Sequence, residues 1–357
     1  MYKVPLMRPS LPDKNKFIKI IDELWETRML SNFSKYSQKF EQDMKNINNS
    51  NREFLSVVSC DIGLTLLFKT FEIKDSEILV PSFTFNSTIN SIAWNNLIPV
   101  FVDIDPKTYC IDVEDLKRKI TSKTRAILAT HIFGNPANCS ELEKIAKENN
   151  LYLFFDSAHG FGSKHRGKSV SEYGDAGVYS FSGTKVVTSA EGGMAYFKDK
   201  EKAERFYLAR NYGISKNYDT KILGLNGKVS EFHSALACLA IENSNKIIER
   251  RLEVVSMYKD GLKGFEFQEV KENDFSSYKD FSILTENRNY LHDKLEECGI
   301  QTKKYFFPSH MTSYYKKYNN NLKNTEYVYD KILCLPIFND ITNDQIQYVI
   351  NSLIKLI

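Results

Sequence analysis

An α/β fold built on a mostly parallel sheet with helices on both faces is what this sequence predicts. Two observations carry the expectation. Between about residues 50 and 200, six short apolar runs recur at 54–59, 78–80, 99–103, 126–130, 151–156 and 177–181, each the length of a buried strand. Four stretches between them, 63–73, 85–95, 113–120 and 141–149, instead space apolar residues by three and four, the period of a helix with one buried face. Strands joined through helices in this way become parallel neighbours, covered on both sides.

In chain order, the strand at 54–59 leads into the helix at 63–73, and 78–80 into 85–95. The strand at 99–103 precedes the helix at 113–120, for which Asp112 is the expected N-cap, its carboxylate taking the orphan amides of the first turn. After 126–130, Ser140 is the expected N-cap of 141–149 and forms a capping box with Glu143. The runs at 151–156 and 177–181 close the pattern. Residues 230–262 hold few breakers and read as one long helix or a pair of helices. Beyond them a small α+β unit is expected, with a strand over 281–284, a helix over 289–298 ended by Gly299, and a closing helix over 340–356. The predicted division is a large domain over 1–240, whose N-terminal segment is free to pack on the small unit, then a linking helix and small domain over 241–357. No internal repeat is visible, and Tyr318-Asn319-Asn320-Asn321 reads as an exposed loop.

A chain of 357 residues with 42% hydrophobic side chains suits one large domain and one smaller. Its net charge of +3, without basic runs interleaved with aromatics, argues against a nucleic-acid partner. Six scattered cysteines without a C-x-x-C pair point away from disulfides and zinc and toward a reducing cytosol. The six histidines are equally scattered, so no metal site is expected. The N-terminus has no apolar h-region, and no apolar stretch reaches the roughly 18 residues of a membrane span. A cytoplasmic protein, neither secreted nor membrane-bound, is the expectation.

The functional signal is a pair of residues. Asp156 ends the apolar run Phe154-Phe155-Asp156-Ser157-Ala158-His159, and Lys185 follows it by 29 residues in Tyr179-Ser180-Phe181-Ser182-Gly183-Thr184-Lys185. A lysine can hold the aldehyde of pyridoxal phosphate as a Schiff base. An aspartate can keep the pyridine nitrogen protonated, so that the ring draws electrons. Alone, the lysine is an ordinary surface group and the aspartate an ordinary helix cap. Both fall at carboxyl ends of predicted strands, where sheets of this kind bind their ligands.

Further stretches lie in order along nearly the whole chain. They are Pro81-Ser82-Phe83-Thr84-Phe85, Pro99-Val100-Phe101-Val102-Asp103-Ile104-Asp105, Phe133-Gly134-Asn135-Pro136-Ala137, Glu191-Gly192-Gly193, Pro308-Ser309-His310 and Leu335-Pro336-Ile337. With the Asp156 and Lys185 segments they make the chain resemble the DegT/StrS family of pyridoxal phosphate-dependent sugar aminotransferases. The resemblance implies fold type I, the architecture of aspartate aminotransferase. It also implies that Lys185 is the Schiff-base lysine and proton carrier, and that Asp156 is the pyridinium partner. His159 would contact the cofactor's hydroxyl edge, Phe85 would stack on its ring and Ser180 would bind its phosphate. Asn226 would reach the phosphate of a neighbouring subunit, making the enzyme a homodimer with shared sites, and Lys228 is an alternative contact in that loop.

One departure stands out. Family members carry Gly-Thr at the start of the first helix, whereas this chain has Cys60-Asp61-Ile62-Gly63. The amides of Cys60, Asp61 and Ile62 remain the expected phosphate ligands, with Asp61 as N-cap. An ionised Asp61 beside a phosphate is repulsive.

The lysine separates the chain from the branch of the family in which a histidine replaces it and dehydration replaces amino transfer. The resemblance implies transfer from L-glutamate to a nucleotide-linked 4-keto-6-deoxy sugar. The opening segment, Val4 to Pro12 with Leu24-Trp25 and Leu30-Ser31-Asn32, is similar to enzymes making 4-amino-4,6-dideoxy sugars from dTDP sugars. Amination of dTDP-4-keto-6-deoxyglucose at C4, for surface polysaccharide such as lipopolysaccharide O-antigen, is therefore expected. Amination at C3, a different pyridoxal phosphate chemistry such as a lyase or cyclitol aminotransferase, and a degenerate cofactor-binding homologue remain open.

Overall fold

The computed structural model describes residues 2–318 and 321–357, so the polar stretch at 318–321 lies partly outside the described residues. The strands in chain order are β1 (Glu53–Val57), β2 (Glu77–Pro81), β3 (Ile98–Val102), β4 (Thr124–Thr130), β5 (Tyr152–Asp156), the short hairpin β6 (Lys164–His165) and β7 (Lys168–Ser169), β8 (Ala176–Ser180) and β9 (Gly193–Phe197). Seven of them form the main sheet in the order β1-β9-β8-β5-β4-β2-β3. From β3 through β8 the neighbours are parallel. β9 runs antiparallel between β8 and β1. Each of the six apolar runs is a strand, and the prediction missed β9, which follows a tight Gly192-Gly193 entry. That entry is sterically required: a Cβ on Gly193 would sit 2.8 Å from the Cys60 amide nitrogen.

The helices cover both faces. Cys60–Thr70 sends Leu64, Leu67 and Phe68 into a core shared with Val80, Leu128, Phe154 and Val178. On the opposite face, Leu116 and the Leu142–Ile145 stripe of Cys139–Glu148 pack with Leu79, Ile127 and Phe155. Alternate strand residues thus face two separate cores, as a doubly covered sheet demands.

Asp112 caps Val113–Lys119 as the sequence implies, accepting from the Glu114 and Asp115 amides. The capping box at Ser140 is not formed. Asn138 occupies the N-cap position, the Ser140 hydroxyl bonds His165 Nε2 at 2.9 Å, and Glu143 accepts from the Gly174 amide at 2.9 Å. Tertiary partners took both side chains. Residues 230–262 form two helices, Glu231–Glu242 and Ser244–Gly261, divided at Asn243. Two N-terminal helices that the sequence left unassigned, Lys14–Thr27 and Lys35–Ile47, pack on the first of these. The buried Glu231 carboxylate fixes the start of the second N-terminal helix by accepting from the Ser34 and Tyr36 amides at 3.2 and 2.6 Å.

A second, antiparallel sheet holds β10 (Glu266–Phe267), β11 (Phe281–Leu284) and β12 (Ile332–Leu335). Its core joins Val254, Tyr258, Phe281, Leu291, Leu335 and Ile346. Helix Arg288–Glu297 stops at Cys298, with Gly299 at φ +76°, and Asn343–Leu356 opens on a capping box of Thr342 and Gln345. The N-terminal segment packs on this unit: Val4 pairs with Ile300, and the Leu6 carbonyl accepts from the Ile337 amide at 3.0 Å. No helix among the described residues is long and apolar enough to cross a membrane. The architecture is fold type I, with a mostly parallel central sheet flanked by helices.

Candidate active site

The parallel strands bring their carboxyl ends to one edge of the sheet. β5 ends in Asp156, β8 ends in Ser180, and the turn after β8 carries Lys185. Helix Cys60–Thr70 begins at the same edge, and Phe85 occupies the N-cap position of helix Asn86–Ala93. Between them lies a cavity of about 450 Å³. Seven of the nine residues expected at the site line it: Cys60, Asp61, Phe85, Asp156, His159, Ser180 and Lys185. Ile62 and Asn226 do not. A larger cleft of about 580 Å³, between helix Ser244–Gly261 and the β6–β7 hairpin, contains none of the nine.

Asp156 is buried, and burial pushes its carboxyl above the usual aspartate range. Three groups oppose that rise. The Thr88 hydroxyl donates to Oδ2 at 2.6 Å, the Ala158 amide donates to Oδ1 at 3.0 Å, and the Lys185 charge lies nearby. Because Thr88 spends its proton on Asp156, it accepts from Thr84 at 2.8 Å, and Thr84 in turn faces Thr130 at 3.4 Å. The Cys60 thiol lies 3.6 Å from the Val178 carbonyl and 4.0 Å from Asp156 Oδ1. Burial keeps that thiol protonated by pushing its pKa well up.

Lys185 has the opposite problem, because burial disfavours its cation. Together with the nearby Lys279 charge, this brings its amine down to about 8, against the pull of Cys60, Asp156 and Asp280. A neutral amine is therefore accessible near physiological pH. His159 is held neutral by burial, with Lys185 and Lys279 adding to the effect. Its Nδ1 accepts from the Phe133 amide at 3.2 Å, so Nε2 carries the proton. Phe133 and Phe306 flank its ring, with centroids 6.2 and 6.1 Å away. Phe85 is 61% exposed, a large aromatic face turned to the cavity.

At the helix start, Ser59 rather than Asp61 is the N-cap. Its hydroxyl accepts from the Ile62 amide at 3.2 Å. That corrects two expectations. Asp61 is a first-turn residue whose carboxylate lines the cavity, and the Ile62 amide is already engaged. The Cys60 and Asp61 amides remain the first-turn donors without an intrahelical acceptor. Burial and the charge on Asp156 both raise the Asp61 carboxyl. Asn226 is exposed in a loop tied to the strand end by a 2.8 Å bond from the Val58 amide to the Gly227 carbonyl. Lys228 lies over the Tyr212 ring, 4.1 Å from its centroid.

Sequence reasoning missed Thr88, Glu191 and Phe306, which come to the site, and the Lys279–Asp280 pair. Thr88 stands three residues after Phe85 on the same helix face, a spacing that was legible. Lys279 bonds both Asp280 oxygens, at 3.0 and 2.9 Å, in a buried pair of adjacent residues just before β11. Nothing local marked that pair as close to Lys185.

The donor set fits pyridoxal phosphate. It offers a depressed amine for the aldehyde, a buried carboxylate for the ring nitrogen, an aromatic face for the ring, and free amides with the Ser180 hydroxyl for the phosphate. Asp61, a carboxylate beside the amides that would hold the phosphate, fits poorly.

Fold and site together define a pyridoxal phosphate-dependent aminotransferase of fold type I. The chain belongs to the DegT/DnrJ/EryC1/StrS aminotransferase family, whose sequence model matches residues 12–354. It is 31% identical to GDP-perosamine synthase of Escherichia coli O157:H7 over 366 aligned positions, covering 99% of this chain and 98% of that one. It is 30% identical to dTDP-4-amino-4,6-dideoxy-D-glucose transaminase of Shigella dysenteriae over 360 positions, 97% of each chain. Among solved structures, DesI in the presence of its TDP-sugar product superposes with a TM-score of 0.92 at 26% identity, covering 98% of this chain and 92% of the other. Pyridoxal phosphate is the cofactor of this family.

Proposed function

We propose that this chain transfers an amino group from L-glutamate to the keto carbon of a nucleotide-linked 4-keto-6-deoxy sugar, with C4 of a dTDP sugar as the leading acceptor and C3 the alternative. One observation carries the reading: a lysine amine brought down to about 8 shares a cavity with a buried carboxylate, at the carboxyl edge of a fold type I sheet. Bound pyridoxal phosphate supplies an aldehyde that carries the amino group and a ring that accepts electrons from the reacting carbon.

Every other step belongs to the chain's own residues. Lys185 Nζ anchors the cofactor and, once released, takes a proton from one carbon and returns it to another. Its lowered pKa keeps a useful fraction of the amine neutral for that task. Asp156 holds a proton on the ring nitrogen, and Thr88 holds Asp156 ionised. His159 presents Nε2–H to the hydroxyl edge, and Phe85 covers the ring face. The Cys60 and Asp61 amides and the Ser180 hydroxyl would hold the phosphate, and Asn226 of the second subunit of a homodimer would reach it. We further place the division between the large and small domains near residue 240, at the break between helices Glu231–Glu242 and Ser244–Gly261.

The relatives that act on GDP- and dTDP-linked 4-amino sugars support this acceptor class. The test is absorbance of the cofactor-loaded protein before and after L-glutamate, followed by addition of dTDP- or GDP-linked 4-keto-6-deoxy sugar. Loss of the visible band on glutamate and its return with the keto sugar are expected, and the product's NMR spectrum assigns C4 or C3. A band that ignores glutamate and every other amino acid refutes the transaminase reading.

A further inference from the structure

Helix Asn86–Ala93 starts at the cofactor cavity and leads away from it to Trp94. Asn86, Asn90 and Trp94 are spaced by four residues and share one face. At 1.5 Å per residue, Trp94 lies about 12 Å along the axis from Asn86, roughly the length of a ribose and pyrophosphate together. Asn86 and Asn90 line both the cofactor cavity and a second hollow of about 490 Å³, walled at its far side by Trp94, Tyr314 and Tyr315. The two hollows adjoin at those asparagines.

The far wall has an unusual composition for a surface that nothing covers. Trp94 is 78% exposed and Tyr314 68%, so two of the chain's large aromatics face water together. Their support is rigid. The Tyr315 hydroxyl donates to Asn90 Oδ1 at 2.6 Å, Tyr315 packs edge-on against Phe101 at 6.4 Å, and Tyr314 stands edge-on to Tyr315 at 4.9 Å. Among the described residues no carboxylate lines this hollow, and the Lys317 amine sits 5.2 Å from the Tyr314 ring centroid. The residues the two hollows share, Asn86 and Asn90, offer neutral amides to an anion passing between them.

We propose that Trp94 and Tyr314 form a shelf on which the base of the substrate's nucleotide stacks, while its pyrophosphate passes Asn86 and Asn90. The inference rests on the nucleotide-linked reading of the substrate given above. Every base has a π face, so the shelf contributes affinity for a nucleoside diphosphate without selecting which base it carries.

Of the two tryptophans, Trp25 and Trp94, a Trp25→Phe background leaves only the second as a fluorophore. Titration of that cofactor-loaded protein with dTDP and separately with GDP should quench the Trp94 emission. By calorimetry, Trp94→Ala should weaken both nucleotides about tenfold, within the range of one base–aromatic stack, and Trp94→Phe should restore most of the loss. Nucleotides that bind the wild type with a Kd unchanged by Trp94→Ala and by Tyr314→Ala overturn the shelf while leaving the nucleotide-linked reading intact. If neither nucleotide binds the wild type, although glutamate still bleaches the cofactor band, the nucleotide-linked reading fails and the shelf with it.

Discussion

Replacing Thr88 with valine keeps the shape of the side chain and removes one proton donor from Asp156. The bond lost is 2.6 Å long, fully buried, and made to a carboxylate. Hydrogen bonds to charged groups contribute about 1.5–3 kcal/mol, which at 1.36 kcal/mol per unit is about one to two pKa units. Asp156 is already raised by burial, so the variant should raise it further. The sign follows from linkage. A carboxyl whose folded pKa exceeds its unfolded value is increasingly unfavourable to the fold as pH climbs from the unfolded to the folded pKa, and the penalty is constant above. The stability gap between wild-type and Thr88→Val apo-protein should therefore be small in acid and widen toward neutral pH. Thermal melts of both proteins across the acid to neutral range measure it. Cofactor affinity should fall in parallel, because a further rise in the Asp156 carboxyl favours its protonated form, which cannot pair with a pyridinium. A gap that does not vary with pH, together with unchanged affinity, refutes the argument and reduces Thr88 to packing.

Lys185→Ala should abolish both the visible band of the bound cofactor and all amino transfer while the circular dichroism spectrum stays native; turnover by this variant would remove Lys185 from its role. Capture of pyridoxal phosphate by wild-type apo-protein should quicken as pH rises toward about 8 and level off above it, following neutral Lys185. Lys279→Met removes a like charge and frees Asp280, both of which raise the Lys185 amine, so the profile should move to higher pH; a shift to lower pH contradicts the assignment. Asp61→Asn should tighten cofactor binding, most clearly where Asp61 is ionised, as measured by equilibrium dialysis of the apo-protein.

The alternation of apolar runs made the sheet legible because each of β1, β2, β3, β4, β5 and β8 is hydrophobic on both faces and bounded by turns. Periodicity reports burial within one segment. It does not report direction, and so β1 was indistinguishable from the parallel strands, although it pairs antiparallel with β9. The N-terminal helices were invisible for another reason. Lys14–Thr27 has one fully buried residue, Leu24, and is held to the body by contacts made over 200 positions later in the chain. Ser140 shows the same limit at one residue. Its pattern with Glu143 was right for a capping box, but His165 and Gly174, remote in sequence, bound both side chains first.

At the site, the residues that the sequence put forward and that line the cavity were readable, whereas the groups that tune them were not. Lys185, Asp156, Phe85 and His159 are marked by chemistry tied to local motifs. Lys279 acts on Lys185 only because β11 brings the C-terminal unit against the cavity, and no local pattern records that approach. The Ser59–Asp61 turn is instructive in the other direction. Ser59 and Asp61 are both good N-caps, and only geometry decides between them. With Ser59 capping, the Cys60 and Asp61 amides are left to bind an anion, and the carboxylate placed beside them is the feature that opposes it. The helix start therefore keeps the donors an anion site needs and adds one repulsive charge, so its cost should appear in cofactor affinity rather than in the fold. A cofactor that binds wild type and Asp61→Asn equally well at neutral pH would mean that Asp61 turns its charge to solvent when the phosphate arrives.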